Sequence, residues 1–227
     1  MHRSAMVRMS WFVDNYIKGK GHVRVLDVGS CDVNGSMRPL FEGTEAEYVG
    51  LDIEAGANVD IVMKEPYDWS NIPDESFDFV ISANAFEHIE FPWLTIKEIY
   101  RKLKPEGIAC IHAPLSVGEH KHPTDCYRYY PDGFRALGKW AGFQVLNVTA
   151  GGVPSMSAPK DWNGWNDTMM ILLKSDTPAN PEDYPILKYE RREGVIIVDS
   201  DSVLISCWRT LRYTMPKLHS LIRKFLH

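Results

Sequence analysis

An acidic turn with a glycine follows the first apolar run of the chain and is the clearest ligand-binding signal in the sequence. Residues 23–28 are rich in β-branched side chains, as in a buried strand, and the run ends at Gly29. Asp27 and Asp32 flank this turn, and Cys31 stands where a nicotinamide-binding turn has its middle glycine. Because carboxylates repel phosphate and attract cations, the turn predicts a positively charged ligand without phosphate.

A second carboxylate closes the next predicted strand. Asp52 lies near the end of the run 48–53, at about the twenty-residue offset of an acidic group that binds ribose hydroxyls. The predicted ligand is therefore a nucleoside with positive charge and no phosphate. S-adenosylmethionine fits this description, because its amino group and its sulfonium are both cationic.

Three histidines follow predicted strands, in loops that commonly hold functional side chains. His88 comes after the fourth strand, and His120 and His122 lie in the long loop after the fifth. S-adenosylmethionine carries a methyl group that its sulfonium activates for transfer. If an alcohol accepts this methyl group, a histidine with a pKa near neutrality suits removal of the alcohol's proton. We predict His120 as the general base, oriented by Asp125, and His88 as a further catalytic residue.

Two other interpretations of this loop stay open. The loop can be held together by its own hydrogen bonds, or His120, His122 and Asp125 can bind a metal. We expect no metal, because H-x-H-x-x-D is not an established ligand pattern.

Five segments resemble, in order and spacing, the class I S-adenosylmethionine-dependent methyltransferases, and the resemblance covers about residues 4–174. They are Asp27-Val-Gly-Ser, Val49-Gly-Leu-Asp, Asp74-Glu-Ser-Phe-Asp-Phe-Val-Ile-Ser, Phe86-Glu-His and Leu103-Lys-Pro-Glu-Gly. Residues 119–128 also resemble a subgroup with the pattern Glu-His-x-x-Pro-x-Asp-x-x-Arg. One departure is Cys31, where the family usually has a second glycine.

The resemblance implies which residues bind the donor and the acceptor. The methionine part would contact Asp27, Gly29 and Ser30, the ribose Asp52 and the adenine Ile53. The full expected donor set is Asp27, Gly29, Ser30, Asp32, Asp52, Ile53, Glu65, Pro66, Tyr67, Asn84 and Ala85. The expected acceptor set contains aromatic and polar side chains suited to stacking a sugar or an aromatic ring: His122, Tyr127, Arg128, Tyr129, Trp162 and Trp165. The alternative is that these side chains only fill the core beneath loops.

Strands that alternate with helices predict an α/β fold with a doubly wound, Rossmann-like sheet and helices on both faces. The predicted strands are 23–28, 48–53, 60–63, 77–82, 107–113, 143–149 and 168–173, and the predicted helices are 4–18, 34–41, 92–103 and 131–140. The family resemblance, not the periodicity, implies that the seven strands are mostly parallel and that the last is antiparallel.

Composition indicates one sizeable α/β core, residues 1–174, with an extension, residues 175–227. The chain has 227 residues, of which 44% are hydrophobic and 24% charged. A net charge of −5 argues against a nucleic-acid partner. Four cysteines without C-x-x-C spacing favour reduced thiols and a cytoplasmic location. We identify neither a secretion signal at the amino terminus nor a segment that approaches membrane-spanning length.

The extension contains a polar, proline-rich stretch at 176–185, a possible short strand at 194–198 and a basic run at 203–227 without acidic residues. The basic run predicts an amphipathic helix interrupted near Pro216. Such a helix would pack on its own domain, form a homodimer contact or lie on an anionic membrane surface.

The sequence thus predicts a methyltransferase that acts on a hydroxyl of a small molecule or glycan. The alternatives are an N- or C-methyltransferase on another metabolite, and a partner subunit with the methyltransferase fold but no turnover. A dehydrogenase is disfavoured, since its pyrophosphate would meet Asp27 and Asp32.

Overall fold

The computed structural model describes residues 3–151 and 166–187. Within them, seven strands form one sheet: β1 (Arg24–Val28), β2 (Glu47–Asp52), β3 (Ile61–Val62), β4 (Phe77–Ala83), β5 (Leu103–Ser116), β6 (Gln144–Gly151) and β7 (Asn166–Leu173). Their order across the sheet is β3-β2-β1-β4-β5-β7-β6. Strands β1 to β5 pair in parallel, whereas β7 runs antiparallel to both β5 and β6. The predicted mostly parallel sheet with an antiparallel last strand is confirmed.

In the described part of the chain, three α-helices cover the sheet: α1 (Arg3–Phe12), α2 (Pro92–Lys102) and α3 (Pro131–Ala141). Helices α2 and α3 each have proline in the first turn, where its missing N–H costs no hydrogen bond. Helix α3 ends at Gly142, whose φ of 102° suits a glycine. Helix α1 continues into a π-helical turn, Val13–Ile17, so the predicted helix 4–18 is helical nearly throughout.

The core lies on both faces of the sheet because strand side chains alternate between them. In β1, Leu26 packs with residues of α2 and α3, whereas its neighbour Val25 packs with Met9 and Phe12 of α1. Strands buried on both faces read as continuous apolar runs, which is why the sequence predicts them well.

The predicted helix 34–41 is wrong in extent, because only Arg38–Phe41 is helical and forms a single 3₁₀ turn. The preceding residues form a turn, in which the N–H of Gly35 donates to Oδ1 of Asp32 at 2.7 Å and Gly35 has a φ of 126°. Strand β5 is longer than predicted at both ends.

Residues 175–187 continue onto the core of the main domain. The Tyr16 hydroxyl donates to the carbonyl of Pro185 at 2.7 Å, and Tyr184 and Leu187 pack against the cluster on the α1 side. Packing on this core therefore extends beyond residue 174, and the division of the chain into two parts stays a prediction.

Several predictions fall outside the described residues: Trp162, Trp165, the strand 194–198 and the helix 203–227. The homodimer or membrane contact of that helix stays a prediction, as does the cytoplasmic location. Among the described helices, none combines the length and the apolar content needed to cross a membrane.

Candidate active site

A cavity of about 460 Å³ opens at the carboxyl ends of β1, β2 and β4. Ligands of open α/β sheets bind at this edge. Twelve of the predicted site residues line the cavity: Asp27, Gly29, Ser30, Asp52, Ile53, Pro66, Tyr67, Asn84, Ala85, His88, His120 and His122. The topology thus brings together residues from five separate segments of the chain.

The turn after β1 uses its own backbone donors internally. The N–H groups of Gly29 and Ser30 both donate to the carbonyl of Leu51, at 2.9 and 3.1 Å. The N–H of Cys31 donates to Oδ2 of Asp52 at 2.9 Å. These amides are not directed together at a ligand as they are in a phosphate-binding turn, which agrees with the prediction that the ligand lacks phosphate.

Asp52 ends β2 and retains capacity for a diol. Its two oxygens accept the N–H groups of Cys31 and Glu54, at 2.9 and 3.2 Å. A carboxylate offers about four lone-pair sites, so about two remain for hydroxyl donors. Beside it, Ile53 is half exposed in the cavity wall and presents an apolar surface suited to a base. The pair fits the ribose and adenine of S-adenosylmethionine.

Asp27 lies at the end of β1 and is almost fully buried. Burial raises the pKa of its carboxyl to about 7, although the hydrogen bond from the Tyr48 hydroxyl lowers it. The pKa of Tyr48 is in turn raised, chiefly by its own burial. A ligand cation beside Asp27 would favour the ionised carboxylate, as the amino group of S-adenosylmethionine requires.

The loop after β4 approaches the β1 turn closely. A Cβ added to Gly29, whose φ is 79°, would lie 2.3 Å from the Cβ of Ala85. Asn84 also has a positive φ of 56°, and its Oδ1 contacts Nδ1 of His112 at 3.0 Å. Glycine at position 29 is therefore required both by the backbone conformation and by this contact.

Glu87 is the main site residue that the sequence interpretation missed. Its carboxyl is fully buried beside the cavity, and among the described residues neither oxygen has a hydrogen-bond partner. Burial raises its pKa to about 8. Glu87 was visible in the Phe86-Glu-His motif, but a sequence does not show that a glutamate side chain turns inward.

His88 and His120 face Glu87 from two different loops. Each has its Nε2 atom 3.8 Å from Oε1 of Glu87, and the two rings meet edge to face with centroids 5.1 Å apart. Burial lowers the pKa of His88, and the nearby His120 ring contributes. The structure thus brings together the two predicted catalytic histidines, as expected of residues after adjacent parallel strands.

Asp125 holds the backbone of the His120 loop. Its Oδ2 accepts the His120 N–H at 2.7 Å, and its two oxygens bind the Arg128 guanidinium at 2.6 and 2.7 Å. Hydrogen bonds from Arg128 hold its pKa well below the usual range. Nδ1 of His120 lies 3.7 Å from Oδ2, too far for the direct orienting hydrogen bond that the sequence predicted. Arg128 binds both oxygens of Asp125. Asp125 is therefore a poor ligand for the alternative metal site with His120 and His122.

Six other predicted site residues lie outside the cavity lining: Asp32, Glu65, Asp125, Tyr127, Arg128 and Tyr129. Tyr127 donates its hydroxyl to the Glu90 carbonyl at 2.8 Å, and the buried Tyr129 donates to the Phe86 carbonyl at 3.0 Å. Both tyrosines therefore anchor loops, which is the alternative interpretation of these aromatic residues. Asp32 caps its own turn. Residues absent from the predicted set that line the cavity include Val33, Met37, Met63, Trp69 and Thr95.

The described residues contain three of the four cysteines, Cys31, Cys110 and Cys126, and all three are free thiols. Cys31 is partly buried in the cavity wall, where the family usually has glycine. Its backbone N–H still reaches Asp52, so the side chain does not prevent the turn from forming.

Comparisons with known proteins agree with this geometry. Residues 26–111 match the family model described as a methyltransferase domain. A sterol 24-C-methyltransferase of Yarrowia lipolytica is 30% identical over 124 residues, which are 46% of this chain. The match covers 32% of that relative, about a third of its length.

Two solved structures share the fold. An S-adenosylmethionine-dependent methyltransferase from Archaeoglobus fulgidus has a TM-score of 0.55 at 18% identity and covers 74% of this chain and 92% of that one. The 1,6-didemethyltoxoflavin-N1-methyltransferase of Burkholderia thailandensis, solved with S-adenosylhomocysteine, has a TM-score of 0.55 at 16% identity and covers 77% and 78%.

The family match begins in β1 and ends in β5, so it spans the strands whose carboxyl ends form the cavity. The sheet order, the acidic ends of β1 and β2 and this match agree on one assignment. Residues 26–111 thus match a methyltransferase domain, within a fold that this chain shares with S-adenosylmethionine-dependent methyltransferases.

Proposed function

We propose that the protein transfers a methyl group from S-adenosylmethionine to a hydroxyl of a small molecule or sugar. The observation that carries the proposal is the position of Glu87, His88 and His120, three ionisable side chains in the same cavity as the residues predicted to bind the donor. A hydroxyl must lose its proton as it is methylated, and a group in this cluster would take that proton.

The reaction is an in-line displacement. The acceptor oxygen forms a bond to the methyl carbon while the carbon–sulfur bond breaks, and S-adenosylhomocysteine leaves. The protein chiefly supplies proximity and orientation, because the sulfonium already activates the methyl group. The hydroxyl proton passes to the protein, and His120, which is about one third exposed at the cavity, is the proposed base.

The acceptor would enter past the loop after β5. His122 lines the cavity beside His120, and Asp125 with Arg128 holds this loop in place. We propose that Trp162 and Trp165 add aromatic surface to the acceptor site. Asp125 is then a positioning residue that acts through the loop backbone.

C-methylation is a second candidate, favoured by the matched sterol 24-C-methyltransferase. Such a reaction also needs a group that takes a proton, so the three acceptors suit it too. An O-methylated and a C-methylated product differ in the chemical shift of the new methyl carbon, which NMR of a ¹³C-methyl product measures directly.

The donor half is tested by calorimetry with S-adenosylmethionine. We expect binding in the micromolar range and a loss of at least about tenfold in Asp52→Ala, since two charge-assisted hydrogen bonds to the ribose disappear. Asp14→Ala, an exposed aspartate of the π-helical turn, is the matched control. Absence of binding at millimolar donor overturns the function.

The base is tested with ¹³C-methyl donor and a panel of sugars, small alcohols and sterols. For any acceptor that is methylated on oxygen, His120→Ala should lower kcat by about 10²-fold or more while the Kd for the donor stays the same. His22→Ala changes an exposed histidine before β1 and serves as the control. Methylation at carbon contradicts the hydroxyl assignment and leaves the donor assignment standing.

A further inference from the structure

Three ligand-type atoms converge beside the cavity. Oε1 of Glu87 lies 3.8 Å from Nε2 of His88 and 3.8 Å from Nε2 of His120. One ligand atom from each of the three residues lies within 4.8 Å of the others. The hydrogen positions on the two rings decide whether this group attracts a cation.

The tautomer of His88 follows from its partner. Its Nδ1 lies 2.6 Å from the carbonyl oxygen of Thr124, which can only accept a hydrogen bond. Nδ1 therefore carries the hydrogen, and Nε2 of the neutral ring presents a lone pair toward Glu87. Metal-binding histidines are typically fixed in this way by a backbone carbonyl.

The same reasoning applies to His120. Its Nδ1 lies 3.2 Å from the carbonyl oxygen of Gly118. Nη2 of Arg128 is 3.5 Å from Nδ1, but its two hydrogens have shorter partners, Oδ2 of Asp125 at 2.7 Å and the Gly118 carbonyl at 3.0 Å. Nδ1 is thus the donor, and Nε2 presents its lone pair on the side of Glu87.

Glu87 completes the group with a carboxylate that is fully buried. Among the described residues, neither of its oxygens accepts a hydrogen bond. A carboxylate and two imidazole lone pairs repel one another unless a proton or a metal cation lies between them. We propose that Glu87, His88 and His120 bind a divalent transition-metal cation, with Zn²⁺ as the best match.

The ligand types select the metal. Two imidazole nitrogens and one carboxylate suit Zn²⁺ and its neighbours, whereas Ca²⁺ and Mg²⁺ prefer oxygen ligands alone. Tetrahedral Zn²⁺ at about 2.1 Å places its ligands about 3.4 Å apart, so each Glu87–histidine pair closes by about 0.4 Å. The fourth position stays open to water or to an acceptor oxygen, as in catalytic zinc sites.

This site differs from the metal alternative considered for His120, His122 and Asp125, because Asp125 is bound by Arg128. It also goes beyond the proposed function, since metal binding needs neither donor nor acceptor. In the metal-loaded protein, the cation would acidify a coordinated acceptor hydroxyl, and His120 would act as a ligand in place of a base.

The test uses the full chain without an affinity tag, freed of metal with a chelator and titrated with ZnCl₂ by calorimetry and with CoCl₂ by visible absorption. We expect one equivalent of each ion and ligand-field bands of bound Co²⁺. Glu87→Gln keeps the side-chain shape and should weaken binding at least about tenfold, as should His120→Ala. His22→Ala should bind like the wild type.

Three results overturn the proposal: no binding of either ion at 100 times the protein concentration, equal affinity in wild type and both variants, or loss of affinity in His22→Ala. Circular dichroism verifies the fold of Glu87→Gln, and His120→Ala, which changes a partly exposed loop residue, tests the site independently. All measurements omit S-adenosylmethionine, so a failure of methyl transfer and a failure of metal binding are observed separately.

Discussion

Affinity for the methyl donor should depend on pH through Asp27. This carboxyl is buried at the end of β1, lines the cavity and has a pKa raised to about 7 by burial. The ammonium group of the donor would pair with the ionised form. Binding therefore favours loss of the proton from Asp27, and the affinity falls as the pH falls below 7.

The magnitude follows from the pKa. For a group with a pKa of about 7 that must ionise on binding, Kd at pH 6 is about eightfold higher than at pH 7.5, or roughly 1.2 kcal/mol. S-adenosylhomocysteine is a suitable probe, because it keeps the amino group and is chemically stable. Calorimetry in buffers of different ionisation enthalpy measures the affinity and also the proton that is released.

Two variants test the assignment of this dependence. Asp27→Asn removes the titrating group, so Kd should change less than about twofold over the same range. Tyr48→Phe removes the hydrogen bond that lowers the pKa of Asp27, so the midpoint should move to higher pH. Asp32→Asn changes an exposed carboxylate of the same turn and should keep the wild-type slope. A flat wild-type profile, or a slope that survives in Asp27→Asn, refutes the reasoning.

Two further variants probe the loops that form the cavity. Gly29→Ala should lower the free energy of unfolding, measured by urea denaturation, by more than Gly21→Ala does. Both positions have a positive φ, at which a side chain costs about 1–2 kcal/mol. Only a Cβ at position 29 also collides with Ala85. Equal losses would contradict the close approach. Asp125→Asn should speed hydrogen exchange of the His120 amide about tenfold or more, because a hydrogen bond to a charged acceptor contributes about 1.5–3 kcal/mol. Unchanged exchange would show that Asp125 does not hold this loop.

The strands of the sheet were predictable because each one is indicated by residues that are adjacent in the sequence. Strands buried on both faces are short apolar runs, and the prolines that begin α2 and α3 mark helix starts. The predicted helix 34–41 failed for a local reason of another kind, since Asp32 and Gly35 form a turn that competes with a helix. The antiparallel direction of the last strand was predicted from the family resemblance, because periodicity contains no information on strand direction or on which strands are neighbours.

The convergence of Asp27 and Asp52 has a topological reason. The carboxyl ends of neighbouring parallel strands meet at one edge of a sheet, and β1 and β2 are paired in parallel, so the two carboxylates lie at the same edge. The residues that line the cavity were predicted less well in the loop after β5, because this loop has no periodicity that indicates which side chains face inward. Tyr127 and Tyr129 anchor this loop by hydrogen bonds, whereas Glu87 turns into the cavity.

The environment of each carboxyl separates those that hold the fold from those that face a ligand. Asp125 is paired with Arg128, and Asp78 with Lys104, and their pKa values are lowered, as expected of carboxylates that stabilise the native state. Asp27 and Glu87 have raised pKa values, and neither forms an ion pair with lysine or arginine among the described residues. Burial without such a partner disfavours folding, so these two carboxyls lower the stability of the ligand-free protein at neutral pH. A bound cation would remove that penalty at either position: the donor's ammonium group in the proposed contact with Asp27, and a metal ion in the proposed site at Glu87.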